Sequence, residues 1–223
     1  MPESAARTSP RDLKLLPRSA LVKTGDVDQA DWNFRPVLGW IQRVRFRLVT
    51  ALLPDAGGAL RLLELGYGSG VFLPELARHC TELWGVDVHR RNGEVMDILA
   101  RFGVQARLLV AQAETLPFDS HTVDVVVAVS SLEFMRDLDA ACREVRRVLR
   151  PTGSFVVVTP GRLALVDAGL KLLTGKSAQA EYGSRRERVL PTLKQYFRVE
   201  RRLDFPPFGG SWLRFYDALR LVL

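Results

Sequence analysis

The sequence predicts an α/β fold, a sheet of strands sandwiched by helices, and three observations carry that prediction. The first is Leu62-Leu-Glu-Leu-Gly-Tyr-Gly-Ser-Gly70, an apolar strand that passes through Glu64 into glycines at 66, 68 and 70. The second is Glu82-Leu-Trp-Gly-Val-Asp-Val88, a strand ending in Asp87, twenty-one residues beyond Gly66. The third is the further alternation of short apolar runs with helical periodicity, the pattern of a parallel sheet with crossover helices.

Before the glycines, Pro36 suits the first position of a helix. Val37, Trp40, Ile41, Val44, Leu48 and Leu52 then form one apolar stripe, with Gln42, Arg43, Arg45 and Arg47 elsewhere, until Pro54 to Gly58 ends it. Such a stripe is either core against the sheet or a lid over a ligand. Gly66, Gly68 and Gly70 lack Cβ, so they can adopt positive φ and admit a ligand close to the main chain. Val71 to Cys80 has helical periodicity and is expected to open at the turn with free N–H groups toward the same space. A third strand spans Arg107 to Val110, and a fourth spans Val123 to Val129. Ser130 to Met135 comes next, then an amphipathic helix from Leu138 to Leu149, a stop at Arg150-Pro-Thr-Gly153, and a fifth strand from Phe155 to Thr159. Pro160-Gly161 begins an insertion with an apolar helix from Leu163 to Leu173. Tyr182 to Arg186 reads as a loop leading to a helix through Tyr196. Phe197 to Phe205 alternates as a half-exposed strand, and Trp212 to Leu223 is apolar enough for a last strand, with a helix as the alternative.

The spacing of the glycines narrows the ligand. Dinucleotide sites use G-x-G-x-x-G with a pyrophosphate at the helix N-terminus. Here the spacing is G-x-G-x-G with Glu64 two residues ahead, and a carboxylate there repels a pyrophosphate and suits a cationic or amino-bearing ligand. Asp87 at the next strand end suits ribose hydroxyls. Thr174-Gly-Lys-Ser177 imitates the tail of a phosphate loop, but Leu170 stands where its first glycine is required and no strand precedes it, so that reading is rejected.

With these segments in order, the chain resembles the class I S-adenosylmethionine-dependent methyltransferases, and most closely the methyltransferase-11-like, small-molecule branch that includes quinone-biosynthesis enzymes. Glu64-Leu-Gly-Tyr-Gly-Ser-Gly70 is similar to that family's E/D-x-G-x-G-x-G turn, Gly85-Val-Asp87 to its ribose-binding strand end, and Ala113-Glu-Thr-Leu-Pro-Phe118 to its A-E-x-L-P-F segment. Arg143-Glu-Val-Arg-Arg-Val-Leu-Arg-Pro-Thr-Gly153 is similar to its R-E-x-x-R-V-L-K-P-G-G helix and turn. The resemblance covers about residues 60 to 160 and implies a Rossmann-like, doubly wound, seven-stranded sheet. It implies S-adenosylmethionine as cofactor and S-adenosylhomocysteine as product, held by Glu64, Gly66, Tyr67, Gly68, Gly70, Asp87, Val88, Gln112, Ala113, Glu114 and Ser130. The reaction expected is methyl transfer to an O, N or C nucleophile of a small or lipid-like molecule. A SAM-binding partner subunit without turnover is the alternative.

Departures from the pattern are informative. Gln112 replaces the acidic residue that accepts the adenine amino group, and its amide carbonyl can accept that bond without charge. Tyr67 replaces a small residue, either covering the methionine end of the ligand or packing on the first helix. Leu132-Glu-Phe134 stands where many relatives carry histidine, which leaves Glu133 as first candidate base and His89 as second. The competing reading of Glu133 is a carboxylate at a helix start.

Composition fits these expectations. The 223 residues divide into an N-terminal extension and helix (1–58), a candidate lid, and a binding domain (59–223) with an insertion at about 161–196. Residues 1–10 lack the apolar segment of a secretory signal, and no apolar run is long enough for a transmembrane helix. Cys80 and Cys142 fit reduced, buried thiols of a cytoplasmic protein and make no metal cluster, so no metal is expected. The net charge of +7 comes from scattered arginines without a stacking platform, which speaks against nucleic acid and leaves solubility or an anionic membrane surface as their role. Trp32, Asn33 and Arg35 are candidates for the wall of an acceptor site. Trp32, Phe34, Tyr182, Phe208 and Trp212 suggest a hydrophobic acceptor under a lid from residues 24–40 and 174–186, or else a completed core or a homo-oligomer contact.

Overall fold

A computed structural model describes residues 13–25, 28, 30–54, 60–161, 178–208 and 214–223. Seven strands form one sheet: β1 (Arg61–Leu65), β2 (Glu82–Asp87), β3 (Arg107–Val110), β4 (Val123–Val129), β5 (Leu149–Pro160), β6 (Arg198–Phe205) and β7 (Tyr216–Val222). Their spatial order is β3-β2-β1-β4-β5-β7-β6. The first five are parallel, whereas β7 runs antiparallel to both β5 and β6. The order reverses between β1 and β4, and α/β sheets bind ligands beyond the carboxyl ends of the strands at such a switch point.

Valines dominate the central strands because a strand covered on both faces reads as a continuous apolar run. Helices α1 (Pro36–Leu52), α2 (Leu73–Leu76) and α3 (Asn92–Arg101) cover one face, where Leu62, Val125, Val127, Val156 and Val158 pack with Phe46, Val49, Leu52, Leu76 and Leu99. Helices α4 (Leu138–Val148) and α5 (Ala178–Tyr196) cover the other, where Leu63, Leu65, Val126 and Val157 meet Cys142, Val145, Val189 and Leu193. Strand side chains alternate between faces, so Glu64 shares the α1 face with Leu62.

The expected helix from Val71 to Cys80 is shorter and divided. α2 starts at Leu73 with Pro74 in its first turn and passes into a 3₁₀ turn at Ala77–His79. Gly70 N–H donates to Tyr67 O (2.9 Å) and Leu73 N–H to Gly70 O (3.1 Å), so the turn consumes donors that a regular helix N-terminus would have presented. The expected loop at 182–186 lies inside α5 instead. The segment Trp212 to Leu223 does supply a strand, beginning at Tyr216. The expected helix at 163–173, the 174–177 segment and Trp212 lie outside the described residues, as does the side chain of Tyr182.

In α1 the buried face differs from the expected stripe. Val44, Phe46, Val49 and Leu52 are buried, while Trp40 is 50% exposed and meets Phe205 edge-on at 5.5 Å. Ile41, Arg45, Val49 and Leu52 repeat at helical spacing, so Arg45 sits on the stripe and not outside it. Upstream, Leu16 N–H donates to Val71 O (3.1 Å), and Glu75 accepts from Lys14 N–H (2.7 Å), Arg78 (3.0 Å) and the His79 ring (3.2 Å). These bonds fasten the leading segment beside the glycine turn.

Candidate active site

The turn after β1 takes the conformation its glycines were expected to permit: φ is +75° at Gly66, +52° at Gly68 and +72° at Gly70. Gly66 is fixed twice over, since a Cβ there would lie 2.6 Å from Ser131 Cβ. Ser131 Oγ in turn donates to Leu65 O (2.7 Å), which clamps the end of β1 to the loop after β4. Asp28 Cγ and Thr24 Oγ1 of the leading segment lie 3.9 and 4.0 Å from where a Gly68 Cβ would be, so residues of the candidate lid stand over the turn.

Asp87 braces the turn from β2. Its Oδ2 accepts from Gly68 N–H (2.8 Å), and its Oδ1 from Val88 N–H (2.7 Å) and His89 N–H (3.3 Å). His89 Nε2 lies 3.0 Å from Gly68 O, and its Nδ1 accepts from Arg91 N–H (3.1 Å). Acceptance at Nδ1 puts the ring proton on Nε2, where it donates to Gly68 O. Both ring nitrogens are therefore engaged within the turn. Tyr67 is buried edge-on against His89 at 4.9 Å, with burial and the Asp87 carboxylate raising its hydroxyl above the usual range.

Two buried carboxyls stand at the carboxyl ends of β1 and β4. Glu64 is 4% exposed with no partner for Oε2, and its pKa is pushed up to about 8, first by burial and then by Asp87, against the opposing Arg45. Glu133, in a 3₁₀ turn at Leu132–Phe134, is 2% exposed and likewise lacks a partner at Oε2. Burial raises its pKa against its own backbone N–H, Arg186 and Arg45. Arg45 Nε is sealed from solvent without an acceptor. Burial lowers the Arg45 pKa, opposed by the fields of Tyr216, Glu133, Glu64 and Asp28. Arg45 and Tyr216 were not among the expected site residues; the position of Arg45 on the Ile41–Leu52 stripe was the available signal.

The remaining expected residues divide. Ala113 is buried, whereas Val88 and Gln112 are exposed beyond β2 and β3. Ser130 has φ +51° and a buried hydroxyl without a partner. Glu114 Oε1 accepts from Arg136 N–H (2.9 Å) and Asp137 N–H (3.2 Å), which gives it a role at the start of α4. Glu144 and Arg147 of that helix bind back to the same segment. Glu144 accepts from Leu116 N–H (2.8 Å), and Arg147 donates to Phe118 O (2.7 Å) and Leu116 O (3.1 Å). Among the wall candidates, Asn33 is fully buried, its amide donating to Ala30 O (2.8 Å) and its backbone carbonyl receiving Arg43 (2.7 Å). Arg35 lies outside over the Trp32 ring, and Phe208 is 71% exposed. Among the described residues no group of three or more His, Cys, Asp or Glu could hold a metal ion, and no helix is long and apolar enough to cross a membrane.

This strand order, with a glycine turn after β1 and an acid closing β2, is the fold of solved S-adenosylmethionine-dependent methyltransferases. Residues 63–157 match the family described as methyltransferase domain. The sterol 4-C-methyltransferase strm-1 of Caenorhabditis elegans is 32% identical over 98 residues, 43% of this chain and 29% of that protein. The ubiquinone biosynthesis O-methyltransferase of Mesorhizobium japonicum is 26% identical over 166 residues, covering 66% of this chain and 67% of its own. Several curated relatives are matched over less than half of their length. Among solved structures, geranyl diphosphate C-methyltransferase of Streptomyces coelicolor A3(2), in complex with Mg2+, geranyl diphosphate and S-adenosyl-L-homocysteine, has the same fold. Its TM-score is 0.65 at 15% identity, over 92% of both chains.

The residues present fit S-adenosylmethionine. Glu64 offers an unpartnered buried carboxyl oxygen to an ammonium, and the Gly68 backbone has room for a close ligand, with nothing nearer than 3.9 Å to a Cβ built there. Asp87 Oδ2 keeps acceptor capacity beyond the one bond it accepts from Gly68 N–H.

Proposed function

We propose that this chain transfers a methyl group from S-adenosylmethionine to an O, N or C nucleophile of a small, lipid-like molecule. The observation that carries the reading is the left-handed glycine turn, held by Asp87 and bordered by a buried carboxyl with an orphaned oxygen. The sterol and quinone substrates in the names of related methyltransferases support the substrate class. Glu64 would meet the amino group of the cofactor, Asp87 the ribose, and Val88, Gln112 and Ala113 the adenine, with Gly66, Tyr67, Gly68, Gly70 and Ser130 lining the passage between. When bound, the cofactor supplies an electrophilic methyl on a sulfonium.

The chain's own residues would supply position and proton handling. Alignment of nucleophile and methyl carbon is worth much of the rate in such displacements, so rigid bracing of the turn is itself catalytic machinery. His89, with both nitrogens engaged, serves as a positioning residue. Glu133 is the better candidate to take a proton from a neutral acceptor, because burial raises its basicity. Residues 24–40, whose Thr24 and Asp28 stand over Gly68, with 174–186 as second flap, would form the lid. Free Cys80 and Cys142, with thiols pushed up to about 11 and about 12 by burial, suit a reducing cytoplasm. Calorimetry tests the proposal: S-adenosylhomocysteine should bind, and NAD and ATP should not. Binding of NAD without the homocysteine ligand would refute it.

A further inference from the structure

The strand order divides the cleft. The glycine turn and Asp87 belong to β1 and β2, so a nucleoside bound there lies on the β1-β2-β3 side of the switch point. What remains lies over the ends of β4, β5 and β7 beneath α1, and there the chain assembles polar side chains instead of the apolar wall expected of a purely hydrophobic acceptor. Ser130 Oγ, Glu133 Oε2 and Thr159 Oγ1 are buried and without partners, as is Arg45 Nε. Tyr216, 6% exposed, pairs in register with Pro160, next to Thr159, and lies within the electrostatic reach of Arg45. Arg186 of α5 adds a second cation to the field at Glu133 and Tyr216.

Arg45 is the anomaly in this group. Glu133, Glu64 and Asp28 are close enough for it to feel their charge, yet among the described residues no carboxylate lies within 4.0 Å to form an ion pair with it. A guanidinium stays protonated under any condition relevant to a protein and has no way to neutralise itself. The Arg45 guanidinium lies over the Phe46 ring at 4.8 Å, but its Nε–H is sealed without an acceptor; a buried donor left unpaired is costly, and such costs persist at places where a ligand completes the bond. Neither Glu64 nor Glu133 reaches Arg45 as an ion-pair partner, and burial works against the charged form of both.

We propose that the methyl acceptor is an organic anion whose carboxylate, phosphate or phenolate oxygen docks on Arg45 beneath α1, over the ends of β4, β5 and β7. The inference rests on the methyltransferase reading and sharpens its substrate class: the acceptor has an anionic head, whatever apolar body it carries. Tyr216, Ser130 and Thr159 supply neutral hydroxyls around that head, and Arg186 strengthens the field that attracts it.

Ligand-observed NMR with paired aryl probes on the full chain, in saturating S-adenosylhomocysteine, tests this. Benzoate and phenyl phosphate should bind at millimolar concentration, and benzamide and benzylamine at least tenfold more weakly. Arg45→Gln should lose the anion preference at least tenfold, while Arg101→Gln, the same charge change at the exposed end of α3, should keep it. Should Arg45→Gln fail to fold, Arg45→Lys decides the matter, since it keeps the charge and loses the planar fork, and a severalfold drop in benzoate affinity is expected with an unchanged circular dichroism spectrum. The inference is overturned if no anion binds, if the amide or amine binds as well as the acid, or if the Arg45 variants bind the anions like wild type. Calorimetry with S-adenosylhomocysteine on the same samples reads the cofactor separately. Intact cofactor binding without anion preference sinks this inference alone, whereas absent cofactor binding sinks the methyltransferase reading.

Discussion

Replacing Asp87 by asparagine removes one charge and almost no volume, and the geometry of the turn sets the cost. Asp87 uses both oxygens: Oδ1 holds the N–H groups of Val88 and His89, and Oδ2 holds that of Gly68 at 2.8 Å. An asparagine that keeps its carbonyl on Val88 and His89 turns its NH2 toward the Gly68 N–H, donor against donor. The reverse orientation sets the NH2 against two backbone N–H groups and is worse. The variant therefore loses one hydrogen bond to a charged group, worth about 1.5–3 kcal/mol, at the point where the turn must stay open for the nucleoside. It also loses the charge available to ribose hydroxyls. At about 1.4 kcal/mol per tenfold, a net loss of about 2–3 kcal/mol makes S-adenosylhomocysteine bind roughly 30- to 150-fold more weakly. Gln112→Ala, which removes one neutral bond of about 0.5–1.5 kcal/mol, should cost roughly two- to twelvefold. Isothermal titration calorimetry at pH 7.5 on both variants makes the comparison. Asp87→Asn within threefold of wild type, or a larger loss at Gln112, would show that the ribose and adenine sides are wrongly assigned.

Three further outcomes are expected. With its pKa pushed up to about 8 by burial, Glu64 is protonated in the free protein below that value; an ammonium ligand favours the carboxylate, so binding expels a proton. Affinity for S-adenosylhomocysteine should thus rise from pH 5.5 to 7.5, by at most about tenfold per unit; Glu64→Gln should flatten the profile, and a flat wild-type profile would contradict the role. Glu75 is held below the usual carboxylate range by His79, Lys14 N–H and Arg78 against the cost of burial, so its stabilisation is present above the unfolded pKa and lost as pH falls through the lower folded one. Glu75→Gln should cost about 2 kcal/mol at pH 7 and much less at pH 3.5 by urea denaturation; an equal gap at both pH values would refute the linkage. Limited proteolysis should cut residues 24–40 and 174–186 in the apo protein and spare them with cofactor bound, and equal resistance in both states would make them fixed structure.

Strand positions were legible because the central strands are covered on both faces and read as nearly continuous apolar runs, such as residues 125–129. The glycine turn was legible because positive φ at three alternating positions demands a particular residue type. Arg45 was not, because charge assigns a residue to the solvent side of a helix even where, as here, its spacing with Ile41, Val49 and Leu52 puts it on the face that α1 turns toward the ends of β4, β5 and β7. The division of the helix after the turn was hidden for a similar reason: Pro74 is as compatible with the first turn of a long helix as with a short one. The occupation of Glu114 by the start of α4 depends on a contact twenty-two residues away, which local spacing does not encode.

The switch point between β1 and β4 separates two kinds of construction. On the β2 side the walls are main-chain turns, fixed by glycines and by one aspartate. On the β4 side they are side chains: Ser130 and Glu133 follow β4 and Thr159 lies on β5, while Arg45, Arg186 and Tyr216 come from α1, α5 and β7, whose segments 36–52, 178–196 and 216–222 lie outside the stretch 63–157 that carries the family match. A lineage could therefore exchange its flanking helices, and with them its choice of partner molecule, while leaving the nucleoside grip untouched. In engineering terms, the chain is a chassis with replaceable flanks, and libraries that vary the inner face of α1 would explore new acceptors at little risk to the rest.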